Sequence, residues 1–321
     1  GIKIKTYFLL FKQLLQEIID KKKLNRRRVF QSVINFDIYL KLLNFKSPSF
    51  SSFFTNHVAS AMHRYWEAAY PKDFKGKNKQ DLNWIKSYNN EINFAMQAFE
   101  SQLDSLIKFA EKNKNCEIWI CTSMGQEPVL NYSPVEYQLY ITKPRKLVEF
   151  LKLNQKSFEI KPAMMPRWTF KGTKKDIEDL SNEISKLLID GKPCEYMLGE
   201  NSLTIKIECI NKIPILIYEG KRIDYKKIGL DIINVDDKSG SSAYHIPQGV
   251  LMIYGQNSER FRDNGLIPTH HIKDLILNDI ILSKVKLKYL QPVYFDEEIR
   301  IDIEINHKYK YFLNAGNLFF L

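Results

Sequence analysis

Two segments of the chain hold side chains of the kinds that do chemistry. The first is Phe53-Phe-Thr-Asn-His-Val-Ala-Ser-Ala-Met-His-Arg-Tyr-Trp-Glu67. Histidine titrates near neutral pH and ligates divalent metals, so His57 and His63, with Arg64 and Glu67 beside them, invite a metal or acid–base reading. If the second half of the segment is helical, His63 and Glu67 stand one turn apart on one face, within reach of a shared ion or of each other. His57 falls on another face. A purely structural reading competes, in which His57 caps the segment while Arg64, Tyr65 and Trp66 pack it down.

The second segment is Asp236-Asp-Lys-Ser-Gly-Ser-Ser-Ala-Tyr-His-Ile-Pro-Gln-Gly-Val-Leu-Met-Ile-Tyr-Gly255. A polar, glycine-containing loop delivers His245 just before an apolar strand framed by Gly249 and Gly255. Sheets of α/β proteins gather their ligands at strand ends, which suits His245 to a ligand role; a loop histidine bonded to backbone is the alternative. His270 and His271 precede an expected helix and read as capping it or facing solvent. Ser123 follows an expected strand but has no His or acid beside it in sequence, so no triad is read. GxGxxG, GxxxxGK[ST], HExxH and GxSxG are all missing.

These residues need a scaffold, and apolar periodicity supplies its outline. Phe8, Phe11, Leu14, Leu15 and Ile18 recur at helical spacing between Ile4 and Asp20, and the run Lys21-Lys-Lys-Leu-Asn-Arg-Arg-Arg28 ends that helix. A second helix is expected over Val29–Leu43, and a long helix or a broken pair over Leu82–Lys112. Cys116–Thr122 reads as a buried parallel strand ending in the turn-like Ser123-Met-Gly-Gln126. Glu136–Thr142 reads as a strand, and Arg145–Leu153 and Lys174–Leu188 as helices. Leu203–Ile210 and Ile213–Glu219 read as a hairpin turning at Asn211-Lys212. Val250–Tyr254 is an expected strand, Ile272–Leu277 a helix, and Val285–Ile305 alternates in strand fashion. The expected architecture is an α/β sheet with flanking helices and a helix-rich N-terminal part. It divides coarsely into 1–115 and 116–321, with a small β-rich insertion at 160–220, or forms one continuous domain.

Composition narrows the function classes. The 44% of apolar residues rules out a disordered chain, and no apolar run is long enough to span a bilayer. The net charge is +11, but residues 1–30 hold nine basic and two acidic residues, so +7 sits there and only +4 is spread over the rest. That concentration argues against a nucleic-acid partner, which calls for a groove-sized basic face. A solvated basic helix end and turn is the expectation for Lys21–Arg28. Cysteines at 116, 121, 194 and 209 have neither metal-finger nor disulfide-framework spacing, so reduced thiols and a cytoplasmic location are expected.

Tyr244-His-Ile-Pro-Gln-Gly-Val-Leu-Met-Ile-Tyr-Gly255, followed by Ile267-Pro and Ile272-Lys-Asp-Leu275, resembles the C-terminal part of alkaline phosphatase superfamily enzymes, type I phosphodiesterases and nucleotide pyrophosphatases above all. Val58-Ala-Ser-Ala-Met-His-Arg-Tyr65 looks like that family's Pro-Asp-x-x-Gly-His-x-Tyr segment. Ile118-Trp-Ile-Cys-Thr-Ser-Met-Gly125 looks like its strand ending in Thr-Ser-Asp-His-Gly. The resemblance spans roughly residues 50 to 280 and implies an alkaline phosphatase-like fold with His63 and His245 as metal ligands. It departs where Ala59 replaces a ligand Asp and where Met124 with Gly125 replaces an Asp-His pair. The family's nucleophile and first metal-binding Asp belong to an opening βα unit not found here, which reads as a C-terminal fragment or as an exchanged site.

The resemblance therefore implies a phosphodiesterase or phosphatase-like hydrolase of phosphate or sulfate esters with a degenerate or incomplete two-metal site. No nucleophile is assigned. Arg64 is the candidate for stabilising transition-state charge; Asn56, His57 and Arg64 are candidates for binding the ligand. His63 and His245 would hold a divalent Zn or Mn ion, and the partner would be a phosphorylated or sulfated small molecule. The competing expectation is an inactive binding or scaffold protein that keeps the fold.

Overall fold

The computed structural model describes residues 1–113, 116–122, 124–163, 167–207, 209–255, 267–269 and 272, with backbone strands at 285–286, 300–305, 310–314 and 319–320. The chain is a mixed α/β protein whose sheets are small and, among the described residues, antiparallel throughout. It divides into two compact units, one formed by 1–133, 240–293 and 298–321, the other by 134–239 and 294–297. Ser123, His270, His271 and, apart from Ile272, the expected helix at Ile272–Leu277 lie outside the described residues. Within the expected strand tail, Val285–Lys286 and Arg300–Ile305 are strands.

The first unit carries helices α1 (Ile4–Ile19), α2 (Arg27–Lys46), α3 (His57–Ala69), α4 (Leu82–Tyr88) and α5 (Glu91–Lys112). The expected helix over 82–112 is thus the broken pair. Asp81 starts α4 by accepting from the backbone N–H groups of Asn83 and Trp84, satisfying donors that a helix start leaves orphaned. Val58, Ala61 and Tyr65 of α3 pack with Trp84, Tyr88 and Ile92 of the next two helices. Tyr65 stacks on Tyr88 at 5.2 Å.

Helix α1 forms where its periodicity predicts, yet its apolar stripe points outward. Phe8, Phe11 and Ile18 are 71%, 62% and 79% exposed, while Thr6, Gln13 and Glu17 are buried. Polar bonds hold the helix: Asp37 of α2 accepts from the Lys3 backbone and from Thr6 Oγ1 at 2.9 and 2.6 Å. Glu17 accepts from Gln13 and from Arg27. The solvated reading of Lys21–Arg28 is corrected at Arg26. That side chain is buried, bidentate on Glu91 at 2.8 Å and 4.1 Å from the centre of the Phe94 ring. A buried guanidinium needs such a fork of acceptors, and Glu91 at the start of α5 provides it.

Strand Ile118–Cys121 is buried at every position, but Leu251–Tyr254 and Phe319–Phe320 flank it antiparallel, which corrects the parallel expectation. An unbroken apolar run records burial of both faces and carries no information on the direction of its neighbours. A separate two-stranded ribbon joins Gly125–Pro128 to Ala243–Ile246, with Gln126 opposite His245.

The second unit contains α6 (Pro144–Phe150), α7 (Lys174–Ile184) and three antiparallel groups of strands. Thr173 and Asp176 form a capping box at the start of α7, whose Ile177, Leu180 and Ile184 enter the core. The expected hairpin of 203–210 with 213–219 is not formed. Ser202–Lys206 pairs with Arg167–Lys171 and Glu195–Gly199, whereas Leu216–Tyr218 pairs with Leu187–Ile189 and Lys221–Ile223. Asp190 draws the connection aside by accepting from Ile215 N and Asn211 Nδ2 at 2.8 and 2.7 Å. All four cysteines are free thiols. Among the described residues no helix is long and apolar enough to cross a membrane.

Candidate functional site

Helix α3 supplies one wall of the site and the ribbon of 125–128 with 243–246 supplies the other. His57, at the first turn of α3, is buried in a polar relay. Gln102 Nε2 donates to Ser32 Oγ at 3.0 Å, Ser32 and Thr55 share a bond of 2.7 Å, and Thr55 Oγ1 meets His57 Nδ1 at 2.6 Å. His57 Nε2 lies 3.2 Å from the Ala95 carbonyl, which can only accept. The proton therefore sits on Nε2, and Nδ1 accepts from Thr55. Burial pushes the His57 pKa down from 6.5 to about 4, with the Ala95 bond opposing weakly. Both ring nitrogens are spent, so His57 takes the structural role and does not join His63. Asn56 is exposed at the N-cap position, and its side chain makes no cap bond.

Two turns further on, α3 is broken. Tyr65 has φ −122° and ψ 15°, outside helical values. The ladder is repaired by Ser242, which is fully buried: its Oγ accepts from Trp66 N–H and donates to the His63 carbonyl, both at 3.1 Å. A side chain inserted into the backbone ladder is a recognised cause of a kink. The neighbouring residue fixes the ring, because the Ala243 carbonyl accepts from His63 Nδ1 at 2.6 Å. His63 Nε2 is left with a lone pair, the tautomer that a metal ligand or general base requires.

His245 lies against His63 with ring centroids 4.6 Å apart and planes at 88°, and Tyr244 stands 5.9 Å from His63. The two histidines singled out in sequence are thus brought together. The His63 pKa is lowered, chiefly by burial; the Ala243 bond raises it, and the charges of His245 and Arg64 lower it further. Gln126, opposite His245 in the ribbon, donates from Nε2 to the Ala59 carbonyl at 3.1 Å, while its Oε1 is buried without a partner. Gly125 and Gly249 allow the ribbon and its loop to close. A Cβ at Gly249 would sit 1.9 Å from the Thr122 carbonyl oxygen, and one at Gly125 would sit 2.6 Å from that of Gln248.

Glu67, expected beside His63, is directed elsewhere. It is fully buried and accepts from the backbone N–H groups of Lys79 and Gln80 at 2.8 and 3.0 Å and from the Tyr132 hydroxyl. The Tyr132 pKa is raised by burial and then by that carboxylate. Ala59 offers only its carbonyl. Among the described residues no group of three or more His, Cys, Asp or Glu converges on one point. Two imidazoles alone do not fit a pair of divalent ions, whose catalytic sites need three or more protein donors.

Sequence reasoning missed Ser242, Ala243, Gln126 and Tyr132. Ser242 and Gln126 fall in stretches legible as loop and turn, but Ser242 meets its partner 179 residues away, and nothing local announces that meeting. No family model matches the chain, and neither a curated protein nor a solved structure matches it.

Proposed function

We propose that the protein binds the phosphate or sulfate group of a small ester through His63 and His245, with the charge of Arg64 adding to the attraction. The observation that carries this reading is the edge-to-face contact of the two imidazoles at 4.6 Å. In-line displacement at phosphorus sets the attacking and leaving oxygens on opposite sides, so a base and an acid must flank the phosphoryl group. Hydrogen bonds to its oxygens need about 2.7–2.9 Å on each side, and rings already in contact leave no space between them for the group. In this reading His63 Nε2 and His245 meet one anion from the same side. The charges acting on His63 are those of His245 and Arg64, both cationic when protonated, which favours an anionic ligand over a metal cation. In this reading the chain is an alkaline phosphatase-like relative whose two-metal chemistry has given way to oxyanion recognition.

An anion favours the protonated ring, so binding is coupled to proton uptake by the histidine whose free-state pKa is depressed. Affinity for inorganic phosphate, sulfate and p-nitrophenyl phosphate is expected to rise as pH falls from 8 to 5.5, by up to about tenfold per pH unit for one linked proton. Calorimetric titration of the full chain measures it, and His245→Ala is expected to weaken it. A folded chain that binds none of the three at either pH overturns the proposal.

A second reading has its own support in the His63 Nε2 lone pair held outward by Ala243. In that reading His63 is a general base or single-metal ligand of a slow ester hydrolase. Turnover of a chromogenic phosphodiester with added Zn or Mn, lost in His63→Asn and kept in Asn56→Ala, would establish it; no turnover under any of these conditions removes it.

A further inference from the structure

We propose that the outer face of α1 and the adjoining stripe of α2 form a docking surface for an anionic lipid bilayer. The apolar residues of α1 face outward: Ile4, Phe8, Phe11, Ile18 and Ile19 are between 62% and 86% exposed. Single exposed apolar side chains are ordinary, but a helix-long band of them marks an interaction surface. The surface continues into a groove of about 400 Å³ between the two helices, lined by Leu10, Leu14, Phe30 and Ile34 together with polar residues that include Gln13, Glu17 and Arg27. On α2, Ile38, Leu42 and Phe45 extend the stripe that Ile34 begins, and they are 44%, 53% and 76% exposed.

Charge decides which occupant fits. Lys5 and Lys12 flank the apolar band on α1, and Lys21, Lys22 and Arg28 follow it; all are exposed. Of the two acids of this region Glu17 is buried against Arg27, and Asp20 is half-buried and accepts from Lys22 N at the start of the next turn. The exposed charge around the band is therefore predominantly positive. An amphipathic helix that lies in a membrane interface has this combination, an apolar face with aromatic residues bordered by lysines. The inward face supports the same reading, because Thr6, Gln13 and Glu17 anchor α1 by hydrogen bonds and leave its apolar side free for insertion. This surface is independent of the histidine site.

The test is co-sedimentation of the full chain with vesicles of phosphatidylcholine alone or of phosphatidylcholine with 30% phosphatidylserine, at 0.1 and 0.5 M salt. Binding to the anionic vesicles is expected to exceed that to the neutral ones by at least about tenfold and to weaken in high salt. The double variant Phe8→Glu with Leu15→Glu is expected to lose binding while keeping the parental melting temperature, since both side chains are exposed. Lys5→Glu with Lys12→Glu is expected to reduce it without abolishing it. Three results overturn the proposal: no binding to anionic vesicles, equal binding to both vesicle types, or light scattering that shows a dimer broken by Phe8→Glu with Leu15→Glu in a chain that ignores vesicles. Anion titration of the histidine site does not involve α1, so the two proposals fail separately.

Discussion

The two units of the chain build their interiors from different materials. In residues 134–239 the interior is hydrocarbon, with Leu139, Leu147, Phe170, Leu180, Ile205 and Leu216 wholly out of solvent. In the other unit the interior holds Thr55, His57, Glu67, Glu91, Gln102 and Ser242 as well as apolar residues. Among the described residues, every buried polar or charged side chain except Asp237 and Ser239 belongs to that unit. A hydrocarbon core is specified by volume and tolerates swaps that conserve it, whereas a polar interior is specified by partners and tolerates few. The unit with the polar interior is also the one that positions His63 and His245.

Size-conserving substitutions give the sharpest contrast between the two. Glu67→Leu leaves the buried Tyr132 hydroxyl without its acceptor and removes the acceptor of two part-buried backbone N–H groups. The expected cost is about 3 kcal/mol, given 1–3 kcal/mol for the buried hydroxyl and a smaller loss at the two N–H groups, which water can reach. Leu180→Met, at a site equally buried in the second unit, is expected to cost about 1 kcal/mol or less. A chain of two units need not unfold in one step, so hydrogen exchange resolved by peptide is the appropriate measurement. Comparable losses of protection in the two variants would erase the distinction.

The same contrast explains what was legible in the sequence. Ile177, Leu180 and Ile184 predict helix α7 and its buried face, because that unit buries apolar stripes in the ordinary way, but the expected extension to Leu188 is corrected, since Leu187–Ile189 is a strand. Phe8, Phe11 and Ile18 predict helix α1 equally well but not its orientation, since periodicity reports that a stripe exists and not what covers it. The apolar run at 118–121 announces a buried strand while leaving its direction open. The spacing of His63 and Glu67 holds only for a continuous helix, and the break at Tyr65 depends on a serine far along the chain. Only a family resemblance pairs His63 with His245 in the sequence; their contact is non-local and could not come from spacing.

His57 allows the polar interior to be probed by pH. Its folded-state pKa, about 4, lies below the 6.5 of an exposed imidazole, so the unfolded chain binds the proton more readily. Stability from this group is fully present above pH 6.5 and is lost as pH falls toward about 4, then levels off. The loss is on the order of 3 kcal/mol. It should appear as reduced hydrogen-exchange protection in α3 and α5 at pH 4.5 relative to pH 7.5. In His57→Gln the protection is lower at pH 7.5 and the decline between the two pH values is much shallower. An undiminished decline in that variant would assign the effect to other groups.

The smallest expected effect separates support from positioning. Ser242→Ala removes the hydroxyl that bridges Trp66 N–H and the His63 carbonyl at the break in α3. Two half-buried backbone groups lose a partner, and the cost is about 2 kcal/mol or less, because they can partly rebond within the helix. If Ser242 only supports the fold, melting falls and the titration of His63 stays where it was. If it positions the ring, the bond from His63 Nδ1 to the Ala243 carbonyl weakens too. That bond holds the His63 pKa up against burial, so the midpoint followed by histidine NMR is expected to move further down. Ser242→Thr keeps the hydroxyl and is expected to restore the midpoint even where the extra methyl lowers stability. A midpoint that ignores the hydroxyl, while melting responds to it, would reduce Ser242 to a repair of the helix and leave Ala243 alone as the residue that orients the pair.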